Sequence, residues 1–443
     1  MYFRYVLLRK NNNLLGGNEM KKLLLTIVVT SVLGAICSLA NGATWQPMDS
    51  GTTEDLRDIW GFSKYDVYAV GHSGTILHRD SIGQWSKMTS PTSNHLKGVW
   101  GYNSEDVWAV GENGTILRRQ NGNDWQQISG ISSNLHLNSI WGTGLDNIYA
   151  VGEVAETAYG NGVLLRWDGQ SWTSPREWGP MQFNDVWGRT STNEVFVIGH
   201  SHDIGFTEGI CYKFTSEPVN GAWQTDWPKT SSFYAIWGTG DELFIASQAQ
   251  PWAAEVDHYN GAVWNSQNFG DHALMGVWGT AGNNVYVVGY EGKILRYNGD
   301  VWTNMDSGTT VILSDIWGSG PDDVFVTGYN GTILRLSDPI EEILDFIDES
   351  VGNGTLVPVK PGKAGQGQLG ALINMIEAAG NLIDADDPNL LADACTQLQD
   401  ALEKTDGLAP PESAPDFVTG PAASELAVMI EVLMDSLGCD SSI

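Results

Sequence analysis

Three groups of residues in this chain have types and spacings suited to chemistry. His200-Ser201-His202-Asp203 sets two imidazoles beside a carboxylate, donors that hold a divalent cation once a further ligand arrives from elsewhere. The same residues also read as loop histidines without a metal. Asp58, Asp185 and Asp315 each stand two positions before a Trp, where they could line a channel mouth and hold an ion or water. Local hydrogen bonding is their plainer reading. Arginine grips carboxylate substrates, but Arg118, Arg166, Arg296 and Arg335 share one repeated position, which marks them as structural or solvent-facing. Arg57, Arg176 and Arg189 lie at unrelated positions and predict no cluster. No G-x-S-x-G, H-E-x-x-H, Walker or dinucleotide motif has a supporting context, so neither a catalytic set nor a cofactor is expected.

The elements that must position these residues are repeats. The stretch Leu313 to Leu336, LSDIWGSGPDDVFVTGYNGTILRL, recurs with its Trp-Gly pair at Trp60, Trp100, Trp141, Trp187, Trp237, Trp278 and Trp317, spaced 39 to 50 residues apart. A period near forty with several short apolar runs per copy is the pattern of propeller blades. Each copy divides into four strands, A to D. Strand A ends in Trp-Gly, with Leu or Phe four positions before the Trp and Ile or Val directly before it. Two positions before the Trp stands Asp, Gly, Ser or Ala, as a crowded strand near an axis requires. Strands B (DVYAVG, DVFVTG) and C (GTILHR, GTILRL) carry apolar residues consecutively, which predicts burial on both faces. The carboxylates ahead of strand B (Asp66, Asp106, Glu194, Glu242, Asp323) read as turn residues bonding their own backbone.

Strand D follows a tight turn, often Asn-Gly or Asp-Gly, and opens with Trp85, Trp125, Trp172, Trp223, Trp264 or Trp302. The seventh copy ends at Leu336 without a strand D, whereas Thr44 to Thr53 nearly duplicates Val301 to Thr310. The first strand of the mature chain is therefore predicted to complete the last blade. The result is a mainly β fold, a seven-bladed propeller over residues 44–337 with no open sheet edge.

Sorting the 19 tryptophans by repeat position leaves three without a place: Trp178, Trp227 and Trp252. All three fall in B-to-C or D-to-A connections of blades three to five. There the B-to-C turns also lengthen and carry Tyr159, His202 and Phe206, while the other four blades keep tight turns. Long loops on one sector of a rigid ring are where binding resides, and aromatic platforms suit sugar rings or apolar peptide groups. The alternative is that each Trp covers its own loop.

The formal charge is −30, with no basic excess in the repeats or beyond them, which argues against nucleic acid as a partner. Residues 1–43 read as an export signal, with Lys21-Lys22, the apolar run Leu23 to Ile36, and cleavage after Ala40 or Ala43. Translation is expected to start at Met20. Ile36 is bulkier than lipid attachment at Cys37 tolerates, and the apolar run is too short for a membrane span. A soluble extracytoplasmic protein follows, periplasmic or on the cell surface. In that oxidising setting Cys395 and Cys439 are expected to form a disulfide, while Cys211 replaces an Ile or Leu of other repeats and reads as buried.

From Asp338 the composition shifts to Ala, Leu, Asp and Glu, and residues 338–443 read as a small bundle of four helices. These cover Ile340 to Val351, a segment after Gly367, a third opening at Asp387-Pro388, and a last one after Gly420-Pro421.

The IWG, DVYAVG and GTILR cores, with a corner such as Asp168-Gly169-Gln170-Ser171-Trp172, resemble Asp-box or sialidase-like propeller repeats, particularly those of photosystem assembly and stability factors. Most copies lack the Ser/Thr-x-Asp that precedes the glycine of an Asp box. The C-terminal region is similar to the FIMAH module of exported bacterial proteins through GTL, ALINMIEAAGNLI and TDG with DFVTGPAASELA, which implies attachment and no catalysis. The sequence reading is a secreted, non-catalytic binding propeller taking a glycan or extracytoplasmic protein on the loops of blades three to five. Its alternatives are a glycan-acting hydrolase or lyase and an assembly factor for another exported protein.

Overall fold

The computed structural model describes residues 44–80, 83–155, 160–173, 176–201, 208–215, 223–224, 231–249, 252–321, 323–384, 390–405 and 416–439. Residues Ala43–Ser337 form one compact unit, and Asp338–Ile443 belong to another. The first is a ring of seven four-stranded antiparallel sheets, each taken in the order A-B-C-D except the last. Strand A of every blade touches strand A of both neighbours, so these strands surround the axis. Blade seven consists of Leu313–Gly320, Asp323–Gly328 and Ile333–Ser337 completed by Thr44–Met48. Thr44 stands opposite Ser337 and Trp45 opposite Leu336. The first strand of the described residues thus closes the ring, as the duplicated segment predicts.

The repeated residue types follow from packing between blades. In six of the seven blades the Trp of strand A lies over the glycine that follows the Trp of the next blade. A methyl group on Gly61, Gly142, Gly188, Gly238, Gly279 or Gly318 would fall 2.6–2.9 Å from that ring, so the Trp-Gly pair records the neighbour's indole. At Gly101 the intruder is Phe62 instead. The Trp that opens strand D packs edge-on against the strand-B aromatic of the preceding blade: Trp85 on Phe325, Trp125 on Tyr68, Trp302 on Phe244 and Trp45 on Tyr286, at 6.2–6.4 Å. Strand B is buried on both sides because its two faces meet two different blades, as with Val67, Tyr68, Ala69 and Val70.

Two local expectations differ. Trp172 makes only a single bridge, to Trp167, and paired strand D of blade three is Arg176–Trp178. The indole of Trp172 still packs edge-on against Trp108 of blade two, at 5.7 Å, as Trp85, Trp125, Trp302 and Trp45 do on their rings. The carboxylates ahead of strand B reach beyond their own turns. They cross to strand C, where Asp106 takes two bonds from Arg118 (2.8 and 2.7 Å), and Asp66 and Glu242 meet His78 and His258 at 2.8 and 2.9 Å. Glu194 and Asp323 also accept from hydroxyls of their own A-to-B turns, those of Thr192 and Ser319. Each of the strand-C side chains named lies over the strand-B aromatic facing it, with Arg118 4.4 Å from Trp108 and His258 4.1 Å from Phe244. Carboxylate, basic side chain and ring thus form one repeated unit. Cys211 is buried between Phe196, Ile198 and Phe233, matching its apolar slot.

The second unit contains helices α1 (Pro339–Gly352), α2 (Gly362–Asp384), α3 (Leu391–Leu402) and α4 (Ala423–Leu437). Asp338 caps α1, its carboxylate accepting from the Ile340 N–H at 2.7 Å. Helix α2 begins earlier than its glycines suggest. Side chain Gln368 accepts from the Lys360 N–H, and Gly365 lies so close to the Lys360 carbonyl that a Cβ would fall 1.9 Å from it. Residues 385–389, where the expected start of the third helix falls, lie outside the described residues. Ile343, Ile347, Leu372, Ile376, Leu398, Leu426 and Ile430 form the core. A two-residue ladder, Val357–Pro358 with Val418–Thr419, joins the GTL and VTG segments.

Cys395 in α3 is bonded to Cys439 beyond α4, with 5.6 Å between their Cα atoms. The loop spans 44 residues. Reduction is expected to lower the stability of the helical unit by about 2–4 kcal/mol, through the freedom returned to its unfolded chain. Thermal melts with and without reductant check this, with the propeller transition unmoved. Among the described residues no helix is long and apolar enough to cross a membrane.

Candidate functional site

Two faces follow from the topology: one bears the A-to-B and C-to-D turns, the other the B-to-C turns and D-to-A connections. On the second face every strand A bulges at the residue three before its Trp, as the register skips from Leu56 to Asp58 and likewise in the other blades. A bulge re-aims its side chain, and here it sets Arg57, Lys97, Asn138, Asn184, Tyr234, Met275 and Ser314 around the rim of the channel. Arg57 donates to the Tyr329 hydroxyl (2.6 Å), and Lys97 to the Asn138 amide oxygen (3.2 Å). Asn138 and Asn184 donate to the Phe183 and Phe233 carbonyls of the following blades, at 2.8 and 2.7 Å. Arg57 therefore belongs to a repeated position after all. The signal was a position that varies in type while the Leu or Phe before it does not.

One step down the channel, Asp58, Asp185 and Asp315 are half-buried staples between blades. Asp185 accepts from its neighbour Val186 N–H (2.8 Å), from the Ser139 hydroxyl (2.6 Å) and from the Ile236 N–H of blade five (2.8 Å). Asp58 accepts from Ile59 N–H and from Val99 N–H of blade two (2.8 and 2.6 Å), while Asp315 reaches the Ile59 N–H of blade one at 3.3 Å. Loss of hydration pushes all three carboxyls up, Asp185 to about 7, and the Asp58 charge adds to the rise at Asp315. The plainer sequence reading, hydrogen bonding, describes them, extended across blade boundaries.

The four tight B-to-C turns share one conformation. Ser73, Asn113, Glu291 and Asn330 take φ of 54 to 58°, each followed by glycine. A side chain on Gly74 or Gly331 would strike the Thr92 or Thr52 carbonyl at 2.0 Å, so the D-to-A connection clamps down on the turn. In blade five Trp252 stands 68% exposed at the end of its B-to-C turn, and its carbonyl accepts from the His272 N–H at 2.7 Å. The His272 imidazole lies parallel to Tyr290 of blade six, 6.0 Å away. His272 and Tyr290 thereby form an aromatic pair across blades five and six, joined through the His272 backbone to the segment that carries the solvent-facing Trp252.

Trp178 sits elsewhere. It is half-buried in strand D of blade three rather than in a connection, edge-on to Phe183 at 5.3 Å and near Tyr212, with the Arg176 guanidinium 5.2 Å from its ring. Those neighbours tie it to the boundary with blade four. Tyr159, His202, Asp203, Phe206 and Trp227 lie outside the described residues. His200, the described member of the metal-like set, has its Nδ1 3.3 Å from the Asn184 amide nitrogen. Among the described residues no group of three His, Cys, Asp or Glu side chains is arranged for a metal ion.

Solved structures similar to this chain are propellers. YCF48 bound to D1 peptide matches with a TM-score of 0.51 and 19% identity, over 68% of this chain and 99% of that one. The WD40 propeller domain of Doa1 matches at 0.53 and 11%, over 68% and 98%. Virginiamycin B lyase from Staphylococcus aureus matches at 0.55 and 12%, over 67% and 100%. Identities this low carry the fold alone. No protein-family model and no curated protein matches the chain.

Proposed function

We propose that this protein is an exported, non-catalytic binding scaffold whose B-to-C face takes a segment of an extracytoplasmic protein. The observation that carries the reading is the solvent-facing Trp252, whose carbonyl is bonded by the His272 N–H beside the His272–Tyr290 pair. Indole and imidazole faces bury apolar peptide groups at little entropic cost, and such anchors dominate affinity where they are central. That propellers of this architecture include one bound to a peptide supports the class of partner. The charge of −30 favours a partner that is not polyanionic. Trp178, Trp227, Tyr159, Phe206 and His202 extend the proposed contact surface into blades three and four.

The test captures partners on the mature chain from an extracytoplasmic fraction, re-expresses the strongest one and measures its affinity. Trp252→Ala is expected to weaken it at least tenfold, an anchor residue's loss of ~2 kcal/mol or more. Unchanged affinity removes blade five from the interface. A glycan on this same face, the other partner class, would show as binding to a glycan array that Trp252→Ala abolishes.

The enzymatic reading draws on Asp185, whose raised carboxyl is the type that serves as general acid. Its hydrogen bonds to two blades speak for a structural role. Turnover of any glycan that disappears in Asp185→Ala, with folding intact, would restore it.

A further inference from the structure

On the opposite face, between blades five and six, lies a polar cleft of about 560 Å3 that the proposed function does not use. Volumes of this order hold small ligands. Its floor is the carboxylate–imidazole–ring unit of blade five, Glu242 with His258 (2.9 Å) stacked on Phe244 (4.1 Å). Asn260, Asn265 and Asn283 line its walls, and Tyr297 of blade six closes one side.

Two features set this boundary apart from its equivalents. The imidazole of His258 is shorter than the guanidinium of Arg118, Arg166, Arg296 or Arg335 at the same position. At the first residue of the neighbouring A-to-B turn, where blade three carries Leu145 and blade one Lys64, blade six has Gly282. A Cβ there would lie 2.7 Å from a Glu242 carboxylate oxygen, so the glycine is what leaves that carboxylate uncovered. Blade one also carries a histidine, His78, but its groove is occupied. Arg119 of blade two reaches across to the Tyr68 hydroxyl at 3.1 Å.

We propose that this cleft is a saccharide site, holding one or two neutral sugar units. Sugars present vicinal hydroxyls, each both donor and acceptor, beside an apolar C–H face. A carboxylate, an imidazole and three carboxamides supply the matching acceptors and donors, and the Tyr297 ring supplies the apolar wall. The charge of the site selects among sugars. The Glu242 carboxylate lies in the cleft and none of its described lining residues is Lys or Arg, and after loss of hydration the Glu242 and Asp300 charges help hold the Tyr297 phenol above its ordinary range. Uronic and sialic acids are disfavoured there. A bare cation is the weaker competitor because Glu242 already has a partner in His258.

Saturation-transfer NMR on the mature chain tests this with methyl β-galactoside, methyl α-glucoside and N-acetylglucosamine, and with N-acetylneuraminic acid and choline as charged comparisons. At least one neutral sugar is expected to bind at millimolar strength. Glu242→Gln keeps the shape of the wall and Asn265→Ala trims an exposed side chain. Each is expected to weaken binding about tenfold, the cost of one charge-assisted or well-placed hydrogen bond. Trp252→Ala, on the other face, leaves it unchanged. Absence of transfer to all three neutral sugars, binding in both cleft variants as strong as in the unaltered chain, or preference for choline overturns the proposal.

Discussion

Replacing Trp45 with Ala is expected to destabilise the propeller by about 3–5 kcal/mol, the range for removing a buried indole. The ring is 4% exposed. It packs edge-on to Tyr286 of blade six at 6.2 Å and shares a core with Leu313, Ile316, Val326 and Leu334 of blade seven. One residue of the closing strand therefore seals two blades. Deleting Thr44–Met48 goes further, because it also strips the Ile333–Ser337 strand of its partner and exposes a hydrophobic sheet edge. That variant is expected to associate as well as to unfold at lower denaturant. Urea titration followed by Trp fluorescence, with light scattering for the deletion, measures both. Trp85→Ala is the comparison, since Trp85 holds the same repeat position on the half-exposed edge of blade one and its strand is anchored in sequence. If Trp45→Ala costs no more than about 1 kcal/mol, below any core Trp truncation, the closing strand is not what holds the ring.

How much of this was legible in the sequence depends on whether the signal lay along the chain or across it. Closure was legible because Thr44 to Thr53 repeats Val301 to Thr310, a comparison needing no geometry. The Trp-Gly pair announced the blades, but its cause, an indole from the preceding blade over six of the seven glycines, belongs to a boundary between repeats. The same limit explains the carboxylates of strand B. Asp106 and Arg118 are twelve positions apart, and only the antiparallel register that sets Trp108 against Arg118 makes them partners. Read locally, Asp106 is a turn residue; read across the sheet, it is half of an ion pair lying on an indole. Arg57 was passed over because a bulge carries no fixed residue type, and Gly282 because a missing side chain marks a cleft only once Glu242 is beneath it. Trp178 was assigned to a connection by counting from Trp172, which lies outside the paired strand. The candidate site was thus half visible: Trp252 stood out as surplus, while its companions His272 and Tyr290 come from a neighbouring connection and the next blade.

Between pH 5 and pH 8 the propeller is expected to lose stability through Asp185. Loss of hydration lifts this carboxyl from 3.8 to about 7 in the folded ring, against the bonds from Ser139, Ile236 and Val186 that favour its charged form. A folded-state value above the unfolded one means the native protein holds the extra proton at intermediate pH. The stabilisation is complete below about pH 4 and is lost as pH climbs through 7. A shift of this size corresponds to about 4 kcal/mol at most, and Asp58 and Asp315 move in the same direction. Asp185→Ser isolates the effect, because Ser139 already fills the equivalent position in blade three. At pH 5 the variant gives up the bond to the Ile236 N–H, worth about 1–3 kcal/mol when a buried donor is orphaned. At pH 8 it no longer carries a poorly hydrated charge, so its deficit shrinks or reverses. Repulsion among the protein's many other carboxylates acts equally on both chains and cancels in the difference. Urea midpoints at half-unit pH steps give the two curves, which are expected to converge from pH 5 to 8. Parallel curves would mean that Asp185 stays ionised throughout, and the staple between blades four and five would then be a permanent carboxylate rather than one set by a proton.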